Sequence, residues 1–90
     1  MKDFRKISED DNVAIALREL PPGSNVIVNG SDLKINDLIK FGHKFALENI
    51  RKGSKVIKYG EVIGEATSDI KLGDHVHIHN LVSLRGRRKQ

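Results

Sequence analysis

The sequence predicts an all-β fold of short strands linked by glycine turns, with at most one or two short helical turns. Three observations carry that prediction. An apolar residue, two spacers, a glycine, two spacers and a new apolar run recur four times: L-P-P-G-S-N-V from Leu20, I-K-F-G-H-K-F from Ile39, I-R-K-G-S-K-V from Ile50 and I-K-L-G-D-H-V from Ile70. Each reads as a strand end, a tight turn needing positive φ at Gly, and a new strand. Val13, Ile15 and Leu17 alternate with Ala14 and Ala16, the period of a pleated strand. Finally, K-Y-G-E-V-I-G-E-A-T from Lys58 reads as a hairpin with Gly60 near its tip.

The elements follow in order. Asp11 and Asn12 precede the first strand, where Asx residues commonly hold turns. Pro22 before Gly23 suits a type II turn, because proline presets φ at the first central position. From Ser31 to Lys40 the signal is mixed: Leu33 and Ile35 alternate like a strand, whereas Asn36 could cap one helical turn. Lys44–Leu47 reads as a strand, as do Val56–Lys58 and Glu61–Thr67. Gly64 within the last marks close backbone packing. The four turn glycines are 19, 11 and 20 residues apart, which excludes a regular solenoid.

Ninety residues allow one domain, near the lower limit for a self-sufficient core. With three Phe, one Tyr, no Trp and no Cys, that core must be aliphatic, without disulfide or thiolate–zinc support. No apolar run is long enough for a membrane span, and the first residues lack the apolar stretch of a signal peptide. The reading is a soluble cytoplasmic protein. The net charge of +4 is concentrated in Arg85, Arg87, Arg88 and Lys89, while residues 1–84 hold twelve Lys/Arg against twelve Asp/Glu. A neutral body poor in aromatics disfavours a nucleic-acid surface. The organisation expected is an N-terminal extension at 1–8, a domain at 9–82 and a basic tail at 83–90.

The chemistry concentrates in G-D-H-V-H-I-H-N, Gly73–Asn80. As a strand it would point His75, His77 and His79 to one face, and Val76, Ile78 and Asn80 to the other. Neighbouring histidines would then stand about 6–7 Å apart and the outer pair about 13 Å apart, so only two could share one ion. His75 and His77 are the metal candidates. A polar sheet face with solvated imidazoles accounts for the same residues without a metal. Lys and Tyr beside glycine turns can bind a carboxylate or act as acid or base, which singles out His43, Lys44, Lys58 and Tyr59. The chain has no Ser/His/Asp or Cys/His order and no phosphate-binding glycine loop. Chemistry is therefore expected at an interface with a larger partner.

Five segments, D-N-V-A-I-A (11–16), G-H-K-F-A-L (42–47), V-I-K-Y-G (56–60), I-G-E-A-T (63–67) and G-D-H-V-H-I-H-N (73–80), occur in that order. Together they resemble the N-terminal SAF domain of the altronate/galactarate dehydratase family, over residues 9–82. The resemblance implies a compact β-clip domain. Members remove water from sugar acids with a divalent metal, iron or manganese, giving 2-keto-3-deoxy acids. A related sulfolactate sulfo-lyase carries this domain as a separate small subunit.

By resemblance, the chain is the small subunit or N-terminal domain of a sugar-acid hydro-lyase; its initial Met and basic ending favour a natural subunit. It would act with a larger catalytic subunit and hold little or no metal alone. His77, His79, Lys58 and Tyr59 are the expected catalytic positions. His43, Lys44, Asn80, Asp11 and Asn12 are the expected substrate contacts. No nucleic-acid or membrane partner is expected, and homo-oligomerisation is left open. The alternatives are a sulfolactate-type lyase subunit and a non-enzymatic protein- or carbohydrate-binding module.

Overall fold

A computed structural model describes residues 3–83, all of whose regular elements are strands. They are β1 (Phe4–Arg5), β2 (Val13–Ala16), β3 (Asn25–Val28), β4 (Ser31–Lys34), β5 (Lys44–Ala46), β6 (Lys55–Lys58), β7 (Glu61–Ala66), β8 (His75–Val76) and β9 (Leu81–Ser83). A central antiparallel sheet runs β1-β2-β5-β8; β3-β4 forms a hairpin and β6-β7-β9 a three-stranded sheet. The stretch expected as an N-terminal extension thus supplies an edge strand. The basic tail beyond Ser83 lies outside the described residues.

The four glycine turns share one geometry. Gly23, Gly42, Gly53 and Gly73 have φ of 86°, 84°, 88° and 88°. In each turn the residue after Gly donates its N–H to the carbonyl three residues back: Ser24 to Pro21, His43 to Lys40, Ser54 to Arg51 and Asp74 to Lys71. Positive φ at the second central position with that closure defines a type II turn. The two hairpin tips differ in kind. Asn29-Gly30 and Tyr59-Gly60 all have positive φ, from 51° to 81°, the two-residue type I′ turn that matches the natural strand twist.

These turns build the chain as two structural copies. In the first, Leu20 bridges Ile39 around β3-β4; in the second, Ile50 bridges Ile70 around β6-β7. Gly23 and Gly53 are 30 residues apart, but Gly42 and Gly73 are 31 apart. A bulge accounts for the extra residue. The β6-β7 register runs Val56↔Gly64 then Ile57↔Val62, which leaves Ile63 unopposed.

Alternation along the central sheet divides the core in two. Ala14, Ala16 and Phe45 face the β3-β4 hairpin and pack with Val26, Leu33 and Ile35. Val13, Ala46 and Val76 face the other way and pack with Ile50, Val56, Ala66 and Ile70. Phe4 joins the first cluster, its ring edge-on to Phe45 at 5.9 Å between centroids. Gly64 is a close-approach glycine: a Cβ there would run into the carbonyl of Val82 on β9 and lie 2.8 Å from Leu81.

One sequence expectation is corrected. The strand expected from His75 to His79 ends at Val76, and residues 77–80 form a turn. The cause is Asn80, whose Oδ1 accepts the His77 N–H at 2.9 Å while its own N–H donates to the His77 carbonyl at 3.1 Å. Its Nδ2 also donates to the His75 carbonyl at 2.9 Å. Asn80 is buried in making these bonds and Ile78 is left 83% exposed, so the two do not share a face with Val76. The mixed segment resolves as β4, without a helical turn. Asn36 donates its amide to the Leu72 carbonyl and the Asp74 carboxylate instead of capping a helix.

Candidate functional site

The imidazoles gather at one end of the central sheet. β5 pairs with β8 through Lys44↔Val76 and Phe45↔His75, and the same register continued places His43 opposite His77. Residues paired in a row share a sheet face. The His43 ring lies 5.1 Å from that of His75 with 21° between their planes, and 5.1 Å from that of His77 with 4°. His75 and His77 lie 5.3 Å apart at 17°. The turn made by Asn80 brings His79 back to 5.6 Å from His75, so the wide spacing expected of an extended strand does not arise.

His43 Nδ1 and His75 Nε2 are 3.0 Å apart, a hydrogen bond in which one ring donates and the other accepts. The accepting ring must be neutral. Burial pushes His75 below the usual histidine range, and the charges of His43, His77 and His79 add to that, against the opposing effect of Asp37. Asp37 also accepts the His75 backbone N–H at 2.9 Å. No signal in the sequence marks Asp37, because its bond to His75 spans 38 residues.

His75 and His77, the metal candidates, lie in this cluster with their ring centroids 5.3 Å apart. Among the described residues, no group of three or more His, Asp or Glu side chains is arranged to hold an ion.

Lys44, Lys58 and Tyr59 belong to the other side. Lys44 shares its row with Ile15 and Val76, on the face that packs against β6-β7. Although His43 and Lys44 are adjacent in sequence, the pleat sends them to opposite faces. Burial first, and the charge of Lys58 second, hold the Lys44 amine below its usual range. Lys58 Nζ lies 5.0 Å from the centroid of the exposed Tyr59 ring.

Asp11, Asn12 and Asn80 are buried, and their polar atoms serve the backbone. Asp11 accepts N–H groups from Gly60, Ser8 and Ile7 at 2.8, 3.1 and 3.2 Å. Burial raises its carboxyl pKa, but the bonds from Gly60, Ser8, Tyr59 and Ile7 outweigh that and hold it below the usual range. Asn12 donates to the Lys55 carbonyl at 2.9 Å and accepts the Ile57 N–H at 2.8 Å, clamping β6 beside its bulge. The described structure therefore brings the four histidines together and separates them from the lysine pair.

A family model described as the altronate/galactarate dehydratase SAF domain matches residues 2–84. Altronate dehydratase of Bacillus subtilis (strain 168) is 44% identical over 80 residues, 89% of this chain. Altronate dehydratase of Escherichia coli (strain K12) is 49% identical over 77 residues, 86% of this chain. The chain spans 16% of the length of each. The (2R)-sulfolactate sulfo-lyase subunit alpha of Paracoccus pantotrophus is 47% identical over 47 residues, which is 52% of this chain and 70% of that subunit. Among the described residues, no helix is long and apolar enough to cross a membrane.

Proposed function

The chain belongs to the altronate/galactarate dehydratase SAF domain family, and from that premise we propose that it serves a sugar-acid hydro-lyase as one wall of a shared active site. The rest of the site would come from a larger catalytic polypeptide, either a separate subunit or a continuation of the same protein. The observation that carries this reading is the four-imidazole cluster at the sheet end, with His43 and His75 hydrogen-bonded and His75 favoured in its neutral form.

Dehydration of a hydroxy acid needs a base for the α-proton and an acid for the departing β-hydroxyl. The C–H electron pair forms the new C=C bond, the C–O bond breaks, and the hydroxyl leaves as water once protonated. The resulting enol tautomerises to the keto acid. A neutral imidazole can take the first proton. A protonated neighbour can supply the second, and the His43–His75 bond can pass charge between rings. In this reading His77 and His79, on the turn that Asn80 holds, meet the substrate. The divalent iron or manganese implied by the family would be held chiefly by the larger polypeptide, a reading supported by there being no group of three or more His, Asp or Glu side chains arranged for an ion among the described residues.

Large apolar side chains border the histidines in the chain: Phe41 is 70% exposed and Ile78 83% exposed. They suit burial against the catalytic polypeptide. The coverage of the Paracoccus sulfo-lyase subunit favours a second reading, a small subunit of a sulfite-eliminating lyase, with the same proton chemistry and a different leaving group. The test is purification of this chain from its host together with whatever large polypeptide it binds. α-Keto acid release is then measured with sugar-acid and sulfo-acid substrates. Release only from the combined proteins supports the reading. Lack of any such partner, or turnover indifferent to His77→Ala and His79→Ala, refutes it.

A further inference from the structure

The outer edge of β3 is open where the equivalent edge of the second structural copy is closed. In the β3-β4 hairpin Val28↔Ser31 flanks the two-residue tip, and Val26↔Leu33 is the next bonded row. Bonded and unbonded rows alternate in an antiparallel ladder, so the N–H and C=O of Ile27 point away from β4. Ile57 holds the same place in the second copy, 30 residues further on. There the outward groups are taken. The Ile57 N–H donates to Asn12 Oδ1 at 2.8 Å, and the Ile57 carbonyl accepts the Asn12 N–H at 3.2 Å. Asn12 Nδ2 adds its bond to the Lys55 carbonyl, so the segment entering β2 lies along β6. Among the described residues no group bonds the outward N–H or C=O of Ile27, and its side chain is 63% exposed.

A second open edge lines the same space. The Leu17 N–H donates to the Asp3 carbonyl at 2.9 Å, and the register Phe4↔Ala16, Arg5↔Ile15 then makes Phe4 the unbonded row. The N–H and C=O of Phe4 therefore point off the free edge of the central sheet, where β1 is the last strand. Phe4, Arg5, Lys6, Ile7, Ile27 and Val28 line one cleft of about 650 Å³, within the size range of ligand sites. Two sets of strand-edge backbone groups thus border it, with apolar side chains beside them. Its charge is one-sided. Asp3 is committed to Arg18 at 2.7 Å, whereas Arg5 and Lys6 have no ion pair among the described residues. A second copy of this chain docked edge to edge would set these cations against themselves, which is unfavourable.

We propose that this cleft binds an extended acidic segment of a partner polypeptide by strand addition along β1 and β3. Acidic side chains of the segment meet Arg5 and Lys6, and apolar ones pack on Phe4, Ile27 and Val28. The alternation of a pleated strand gives one segment both kinds of side chain. In strand addition the backbone bonds to exposed edges supply affinity, and the side-chain contacts supply selectivity. The cleft lies at the edge of the central sheet opposite β8, so a segment docked here leaves the histidines uncovered. The proposal does not depend on the lyase reading.

The test uses the full 90-residue chain and a short capped peptide of alternating valine and glutamate, with its valine–lysine counterpart as control. Exchange of the Phe4 and Ile27 amide protons with water is followed by NMR as peptide is added. The glutamate peptide should slow both in parallel and to saturation, and the lysine peptide neither. Ile27→Pro removes the outward N–H while sparing the β3-β4 ladder, and should weaken binding about two- to tenfold, the worth of one hydrogen bond. Arg5→Gln combined with Lys6→Gln keeps every backbone group, and should weaken binding about three- to tenfold and remove the preference over the lysine peptide. Melting curves establish that each variant is folded, and the glutamine pair carries the test if proline unfolds the hairpin. Protection of neither amide by the glutamate peptide, or an equal response to both peptides, overturns the proposal. So does a dimer in sedimentation whose Phe4 and Ile27 amides are already protected without peptide.

Discussion

Replacing Asn80 by Ala tests whether one side chain shapes the histidine cluster. The change removes two hydrogen bonds, from the His77 N–H at 2.9 Å and to the His75 carbonyl at 2.9 Å. Each is worth roughly 0.5–1.5 kcal/mol net, so their joint loss should cost about 1–3 kcal/mol. Asn80 is only 6% exposed, so water does not freely replace what is lost. For a domain of this size, 1 kcal/mol moves the melting temperature by about 4–8 °C, and the expected drop is about 5–20 °C. Ile78→Ser in the same turn removes a side chain that is 83% exposed and should stay within about 0.5 kcal/mol of the parent. Thermal unfolding measures both, and imidazole proton shifts report whether His79 still lies against His75. A melting temperature unchanged in Asn80→Ala, with the ring shifts of the parent, would refute the reasoning.

Three other outcomes follow from the structure. Folded His75 takes up a proton less readily than unfolded His75, so below about pH 6.5 the unfolded chain binds more protons. Stability should fall as pH drops from there toward the depressed folded midpoint, and denaturant melts at stepped pH should show a shallower slope for His75→Gln. Gly64→Ala forces a methyl group into the β9 backbone at Val82 and should cost at least about 1–3 kcal/mol, read from the urea midpoint. Tyr59→Asn relieves a positive φ in the hairpin tip and should stabilise the chain by about 0.5–1 kcal/mol; a loss of stability in the same melt would mean that the Tyr59 ring packs favourably enough to offset its backbone.

What could be read from the residues was local. The four glycine turns, the hairpin tip at Gly60 and the tight contact at Gly64 each follow from what one glycine permits within a few residues. Asn29-Gly30 is an equally local hairpin signal, and it could have settled the ambiguous stretch after Ser31 in favour of strand β4. Long-range bonds were not legible. β1 forms because Phe4 meets Phe45 across 41 residues, and Asp11 is committed to the Gly60 N–H across 49. The histidine stretch misled for a physical reason. Alternating H-x-H-x-H has the period of a strand, but the two backbone bonds of the Asn80 side chain end the strand after Val76. The pleat of the central sheet also separates His43 from Lys44, which the sequence reading had grouped together as substrate contacts. The family resemblance nominated the site residues, and the structure sets the histidines and the lysine pair on opposite faces of one sheet.

The central claim is that the imidazole cluster does proton-transfer work for a larger enzyme. The most direct measurement is α-keto acid formation from a sugar acid by the chain combined with the large polypeptide from its own host. Wild type is compared with His77→Ala and His79→Ala variants shown by their melting curves to be folded. The account predicts turnover that requires both components and falls at least about a hundredfold when a proton-transfer imidazole is removed. Undiminished turnover by both folded histidine variants would contradict it.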